Sequence, residues 1–243
     1  MIGHLNRTSP CSYPTELDRP TQRLPPQRPS PHNPKAEADQ TTMAPPPANL
    51  PPSFTFTMDE TVASLTEFTV PAQTWLSQHA PRLQQRHISL AGLAVSTFVF
   101  NPAGHVLLLQ RASHDSMPDR WEPPGGAVDN QDASVLHAAA RELWEESGLM
   151  VTRFRGLVDH GQEFHVFYNR NRTRCICRFA FLVDVDLCDV VRLDPQEHQA
   201  FAWATEHHVR SQTLDGHRFP ITTPDMRALI LESFHLRRAL DGT

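Results

Sequence analysis

The chain has 243 residues and a single lysine, Lys35. Everything after residue 53 therefore works without a lysine nucleophile, a Schiff base or a phosphate-loop lysine. Any phosphate recognition there must come from arginine, backbone N–H groups or a metal ion. Cysteine is scarce as well. Cys11, Cys175, Cys177 and Cys188 form no Cys-x-x-Cys pair, so neither a zinc site nor a disulfide framework is indicated, and Cys175 with Cys177 is expected to pack in a core. No apolar run exceeds the length of a strand, and the N-terminus lacks the apolar stretch of a secretory signal. These absences point to an intracellular, cytoplasmic protein with no membrane contact. Basic surplus is also missing. The net charge of −5 argues against a nucleic-acid polymer as partner but leaves room for a small phosphorylated molecule held by a few arginines.

Proline is what the N-terminus has in abundance. Residues 1–53 hold more than half of the 22 prolines, one aromatic residue and no apolar periodicity. Such a segment buries too little apolar surface to offset its ordering entropy, and a disordered Pro-rich tail is expected. Residues 54–85 are expected to be a linker with a short helix over Val70 to Ala80, Pro81 marking its end and Trp75-Leu76 its buried contact. Residues 86–243 are expected to be the domain.

Within that domain the apolar run Leu90 to Phe100, the turn Asn101-Pro102-Ala103-Gly104 and the run His105 to Arg111 read as a hairpin. Thr173 to Val185 carries apolar residues at every odd position from Cys175 to Val185, with Arg174 and Arg178 on the other face, which predicts a strand. Ala200 to Ala204 predicts a short strand, and Thr223 to Leu240 a closing amphipathic helix. Strands mixed with helices place the domain in the α/β class.

The chemistry concentrates in one stretch, Pro124-Gly125-Gly126 followed by Arg141-Glu142-Leu143-Trp144-Glu145-Glu146 and then Gly148-Leu149. Leu136, Ala139, Ala140 and Leu143 recur at helical spacing, with Asp132 or Ser134 available as N-cap and Gly148 as left-handed C-cap. On that helix Glu142, Glu145 and Glu146 share a patch. Like charges so spaced repel, and a hard cation reverses the penalty. An all-carboxylate set suits Mg²⁺ or Mn²⁺, which also takes ligands from substrate phosphates.

Gly126 through Leu149 resembles the signature of the Nudix hydrolase family: a glycine, an acid, Arg-Glu-aliphatic-x-Glu-Glu, then x-Gly-aliphatic. Eight residues separate Asp132 from Arg141 where the family pattern has seven. The departure falls before the later carboxylates, so they keep their register, and Asp132 is not assigned as a ligand. The resemblance implies an α/β/α sandwich with a mixed β-sheet. It also implies a metal-dependent hydrolase that cleaves a phosphoanhydride bond in a nucleoside diphosphate linked to another moiety. It further implies a metal cluster on Glu142, Glu145, Glu146 and the carbonyl of Gly126, completed by a glutamate from a distant loop. Glu197 is the positional candidate for that loop acid. Arg141 resembles the family arginine that steers a glutamate, and Glu145 and Glu197 are both candidates for the general base. Arg111 and Arg178 are the candidates for substrate phosphate contact. Phe164, Phe167 and Tyr168 are open to stacking on a base or to core packing, and His198, His207 and His208 are expected at the surface or in the core. A nucleotide-binding module of the same fold without turnover is the alternative function.

Overall fold

The computed structural model describes residues 52–59, 63–159, 161–162, 164–169 and 171–242, the side chain of residue 63 excepted. Apart from residues 52 and 53, the Pro-rich tail lies outside the described residues. One long strand organises the molecule. β7 (Cys175–Val185) pairs in parallel with β2 (Gly92–Val99) over eight residue pairs, from Gly92↔Ile176 to Val99↔Val183. On its other edge it runs antiparallel to β5 (Val151–Leu157) and β6 (His165–Tyr168). A two-residue strand β1 (Thr57–Met58) extends the sheet beyond β5 in parallel, so the sheet is mixed. A second, antiparallel sheet joins β3 (Val106–Arg111) to β4 (Trp121–Glu122) and to β8 (His198–Ala204).

The strand alternation read from the sequence divides two cores. Cys177, Phe179, Phe181 and Val183 of β7 face one cluster, which also takes Leu136, Ala139, Ala140 and Leu143 from helix α2 (Val135–Ser147). Ala180 and Leu182, one residue out of phase, face the other, together with Met226, Leu229, Ile230 and Phe234 of α4 (Pro224–Asp241). Helices thus cover both faces of the β layer, an α/β/α sandwich. α4 starts as the sequence suggests, with the Thr223 hydroxyl accepting the Met226 N–H at 3.0 Å and Pro224 in the first turn.

Two expectations are corrected. β2 and β3 do not form a hairpin: apart from one bridge, Phe100↔Val106, each pairs elsewhere and they lie in different sheets. Nearly every residue of both is buried, so each strand finds its partners in a neighbouring layer, and the Asn101–Gly104 turn acts as a corner. Pro81 does not end α1, which runs Ala72–Gln85. Trp75, His79 and Leu83, four residues apart, keep a single buried stripe across the proline, and that packing outweighs the lost backbone hydrogen bond. Leu76 is only half-buried. The segment read as a linker contributes Leu65, Phe68 and Trp75 to the first core, each about 1 % exposed. Among the described residues no helix is long and apolar enough to cross a membrane.

Candidate active site

The site is built by a glycine turn pressed between β2 and α2. After β4 the chain zips onto β2: the Thr97 N–H donates to the Pro124 carbonyl at 2.8 Å and the Val95 N–H to the Gly126 carbonyl at 2.9 Å. Gly125 sits at φ +154, and a Cβ there would lie 2.2 Å from the Val95 carbonyl oxygen, so only glycine fits. A Cβ on Gly126 would lie 2.5 Å from Glu142 Oε2. The missing side chains bring bare backbone against the helix carboxylates, and the Gly125 N–H donates to Glu146 Oε2 at 2.8 Å.

α2 is fixed at both ends. Ser134 rather than Asp132 caps it, its hydroxyl accepting the His137 N–H at 3.2 Å, and Gly148 at φ 72 closes it with a 2.8 Å bond to the Trp144 carbonyl. Arg141 is the hub of the acidic face. Its Nε and Nη2 grip both oxygens of Asp132 at 2.9 and 3.0 Å, and Nη1 donates to Glu142 Oε1 at 2.9 Å and Glu145 Oε2 at 2.8 Å. Nη2 also reaches the Ala127 carbonyl at 3.0 Å. Asp132, off register in the sequence pattern, therefore anchors the arginine. The Asp132 hydrogen bonds hold the Arg141 guanidinium well above its ordinary pKa.

The three helix glutamates differ in depth. Glu145 is on the rim, its side chain 44 % exposed and tied to Arg141. Glu142 is mostly buried, and burial, opposed by Arg141 and reinforced by Glu145 and Glu197, pushes its pKa up to about 7. Glu146 is only 4 % exposed. Burial raises its pKa well above the carboxylate range, only partly offset by the Gly125 N–H and reinforced by Glu142, Glu122 and Glu197. Glu197 arrives from the turn before β8, exposed, with its carbonyl accepting the Ala112 N–H at 2.9 Å. Glu142, Glu146 and Glu197 thus share one electrostatic field.

Two residues that the sequence reading set aside or passed over belong here. Carboxylate oxygens of Glu146 and Glu197 and a ring nitrogen of His198 all lie within 4.8 Å of one another. His198 is 3 % exposed, and burial with Arg111 nearby lowers its pKa to about 4, so the ring is neutral near pH 7. Glu122, on β4, is buried between arginines: Arg111 Nη1 bonds to its Oε1, and the charge of Arg178 also favours its ionised form against the burial that raises its pKa. Arg111 bonds in addition to Asp115 Oδ2 at 2.5 Å. Arg178 lies 4.4 Å from the centre of the Phe167 ring, and its Nε is shut from solvent without a hydrogen-bond partner. Phe164, Phe167 and Tyr168 do not act together: Phe164 is buried beside Trp75, Phe167 lies under Arg178, and Tyr168 is 56 % exposed. His208 is taken up in the cap of helix α3 (Glu206–Ser211).

The donor set fits a divalent cation. Carboxylates crowded by their own charge beside a bare glycine backbone are what an oxygen-seeking ion would satisfy. Among the described residues the Gly126 carbonyl accepts one hydrogen bond, from the Val95 N–H, and a carbonyl oxygen has a second lone pair to offer.

Over 60 residues the chain is 42 % identical to the m7GpppN-mRNA hydrolase NUDT17 of Bos taurus, covering 24 % of this chain and 20 % of that protein. Over 47 residues it is 40 % identical to an RNA pyrophosphohydrolase of Rhizobium meliloti (strain 1021), covering 19 % of this chain and 28 % of that one. These alignments span less than a third of either curated relative. The crystal structure of the MutT protein from Methanosarcina mazei Go1 aligns over 62 % of this chain and 99 % of its own, with a TM-score of 0.46 and 23 % identity. The NUDIX domain family model matches residues 90–223, more than half of the 243, and the match contains the glycine turn, α2, Glu197 and His198. The chain belongs to the NUDIX domain family.

Proposed function

We propose that this protein is a metal-dependent hydrolase that cleaves a phosphoanhydride bond in a nucleoside diphosphate linked to another moiety. The observation that carries the reading is the cluster of Glu142, Glu146 and Glu197, the first two packed against the Gly125-Gly126 backbone, where burial and mutual repulsion disfavour the ionised carboxylates that a cation would stabilise. Glu142, Glu145, Glu146, Glu197 and the Gly126 carbonyl would hold Mg²⁺ or Mn²⁺. When bound, the ion neutralises phosphate oxygens and lowers the pKa of the attacking water.

The chain's own residues do the rest. Arg141, fixed by Asp132, sets the orientation of Glu142 and Glu145, and the Gly125 N–H sets that of Glu146. In the reaction the oxygen of water bonds to phosphorus, the bridging P–O bond breaks, and a carboxylate, Glu145 or Glu197, accepts the proton from water. Arg111 and Arg178 contact the phosphate oxygens. Glu122 and Asp115 hold the Arg111 guanidinium in place, so the arginine meets substrate already oriented. The names of both curated relatives describe hydrolases, one of them a pyrophosphohydrolase, which agrees with this reaction class.

The test is phosphate release by the full chain from nucleotides, dinucleoside polyphosphates, nucleotide sugars and RNA oligonucleotides with capped or triphosphorylated ends. Each runs with Mg²⁺, with Mn²⁺ and in chelator. Turnover that needs the ion and drops about a hundredfold in a folded Glu146→Gln variant supports the assignment. Binding of a panel member without turnover in any metal would instead identify a nucleotide-binding module.

A further inference from the structure

The glutamates described so far offer oxygen alone, yet the deepest part of the cluster also holds an imidazole. We propose that His198 is a nitrogen ligand to a divalent cation shared with Glu146 and Glu197. The inference rests on the assignment of a metal site to the carboxylate cluster and specifies which metals that site selects.

The backbone explains how His198 comes to be there. β8 pairs with β3 in regular register from Val106↔Ala204 to Gln110↔Ala200, and then the register slips, so that His198 rather than Gln199 faces Arg111. The slip inserts one extra residue into β8. Without it His198 would share the face of Ala200, Ala202 and Ala204, which pack in the second core. With it the side chain turns to the face of Leu107, Leu109 and Trp203, which pack in the same core as α2. A bulge of this kind re-aims a side chain at a cost in strand pairing. The result is a ring nitrogen within 4.8 Å of oxygens of Glu146 and Glu197.

Among the described residues no hydrogen bond occupies the ring's Nδ1. His198 is 3 % exposed, and its Nδ1 is shut from solvent with no hydrogen-bond partner. Buried polar atoms are almost always paired, so an imidazole with an unpaired Nδ1, one ring nitrogen of which lies among the two carboxylates, is a side chain that an ion would engage. Glu146 beside it is equally buried, with the Gly125 N–H as its one hydrogen-bond donor among the described residues. Imidazole suits later first-row ions, whereas Mg²⁺ prefers oxygen throughout. A mixed set of one nitrogen and two carboxylates favours Mn²⁺ or Co²⁺ over Mg²⁺, so the protein is expected to bind Mn²⁺ at least about tenfold more tightly than a His198 variant does.

The experiment is pulsed EPR on the full chain loaded with Mn²⁺. Loss of the free-ion signal first establishes binding, and electron spin echo modulation then reports whether ¹⁴N is coordinated. Nitrogen coupling in the wild type that disappears in folded His198→Gln, with Mn²⁺ affinity at least about tenfold weaker and Mg²⁺ affinity little changed, is the expected result. Bound Mn²⁺ with no nitrogen coupling in the wild type overturns the proposal and leaves the carboxylate site standing. Coupling that persists in His198→Gln assigns the nitrogen to another histidine and also overturns it. Failure of the wild type to bind Mn²⁺ at all removes the metal site itself. Should His198→Gln not fold, His198→Asn carries the same comparison, and the wild-type spectrum alone still decides against the proposal if nitrogen is absent.

Discussion

Replacing Glu142 by glutamine should make the metal-free protein more stable at pH 8, although the change removes a partner of Arg141. Burial pushes the Glu142 carboxyl from its ordinary value of 4.5 up to about 7 in the folded state. A group whose folded pKa is raised favours folding fully below its unfolded pKa, here about pH 4.5. That contribution is lost as pH rises through about 7. The difference of roughly 2.5 pH units, at about 1.4 kcal/mol each, sets an upper figure of about 3.5 kcal/mol for the cost of the charge at pH 8. Glutamine carries no charge and keeps the shape, and Arg141 retains Asp132, Glu145 and the Ala127 carbonyl. At about 2–4 °C per kcal/mol for a chain of this size, the melting temperature should rise by as much as about 7–14 °C at pH 8 in chelator and change little at pH 4.5. Thermal unfolding across pH 4.5–8.5, with and without Mn²⁺, measures it. Mn²⁺ should raise the melting temperature of the wild type at pH 8 far more than that of the variant. A Glu142→Gln protein that is less stable than wild type at pH 8 without metal would refute the idea that repulsion at this cluster opposes folding.

Other substitutions probe separate parts of the account. Gly125→Ala forces a side chain into a conformation reserved for glycine, 2.2 Å from the Val95 carbonyl oxygen; a loss of at least about 2–3 kcal/mol in urea unfolding is expected, with loss of metal binding. Trp75→Ala should cost about 3–5 kcal/mol, because its side chain is buried in the first core; a change below about 1 kcal/mol would mean that α1 is an appendage after all. Arg141→Lys cannot reproduce the two-oxygen grip on Asp132, and kcat should fall about a hundredfold while KM moves little if, as proposed, the arginine positions metal ligands and does not touch substrate.

The parts of this structure that were legible in the sequence are those fixed by local rules. The Ser134 and Gly148 ends of α2 follow from capping chemistry, and the two-residue alternation of β7 announces that one strand serves two cores. Spacing alone set Glu142, Glu145 and Glu146 on one side of a helix, but not their depth, which runs from a rim residue to a nearly sealed one. What escaped depends on non-local packing. The Asn101–Gly104 turn looks the same whether it closes a hairpin or carries the chain between layers. Pro81 marks a helix end in isolation, yet the stripe of Trp75, His79 and Leu83 carries the helix past it. His198 is one of 14 histidines, and only a one-residue slip between β3 and β8 turns it toward Glu146. Glu122 shows no signal apart from its place before the prolines, because the arginines that bracket it come from two other strands.

The central claim is that water attacks phosphorus at the carboxylate cluster, and isotope incorporation tests it most directly. Turnover of any substrate found in the panel, run in ¹⁸O-labelled water and read by mass spectrometry, should place one ¹⁸O on a phosphate product per bond cleaved. That incorporation should require Mg²⁺ or Mn²⁺ and fall about a hundredfold with Glu146→Gln. Label found only in a product without phosphorus, or incorporation unchanged in the variant, would contradict the assignment.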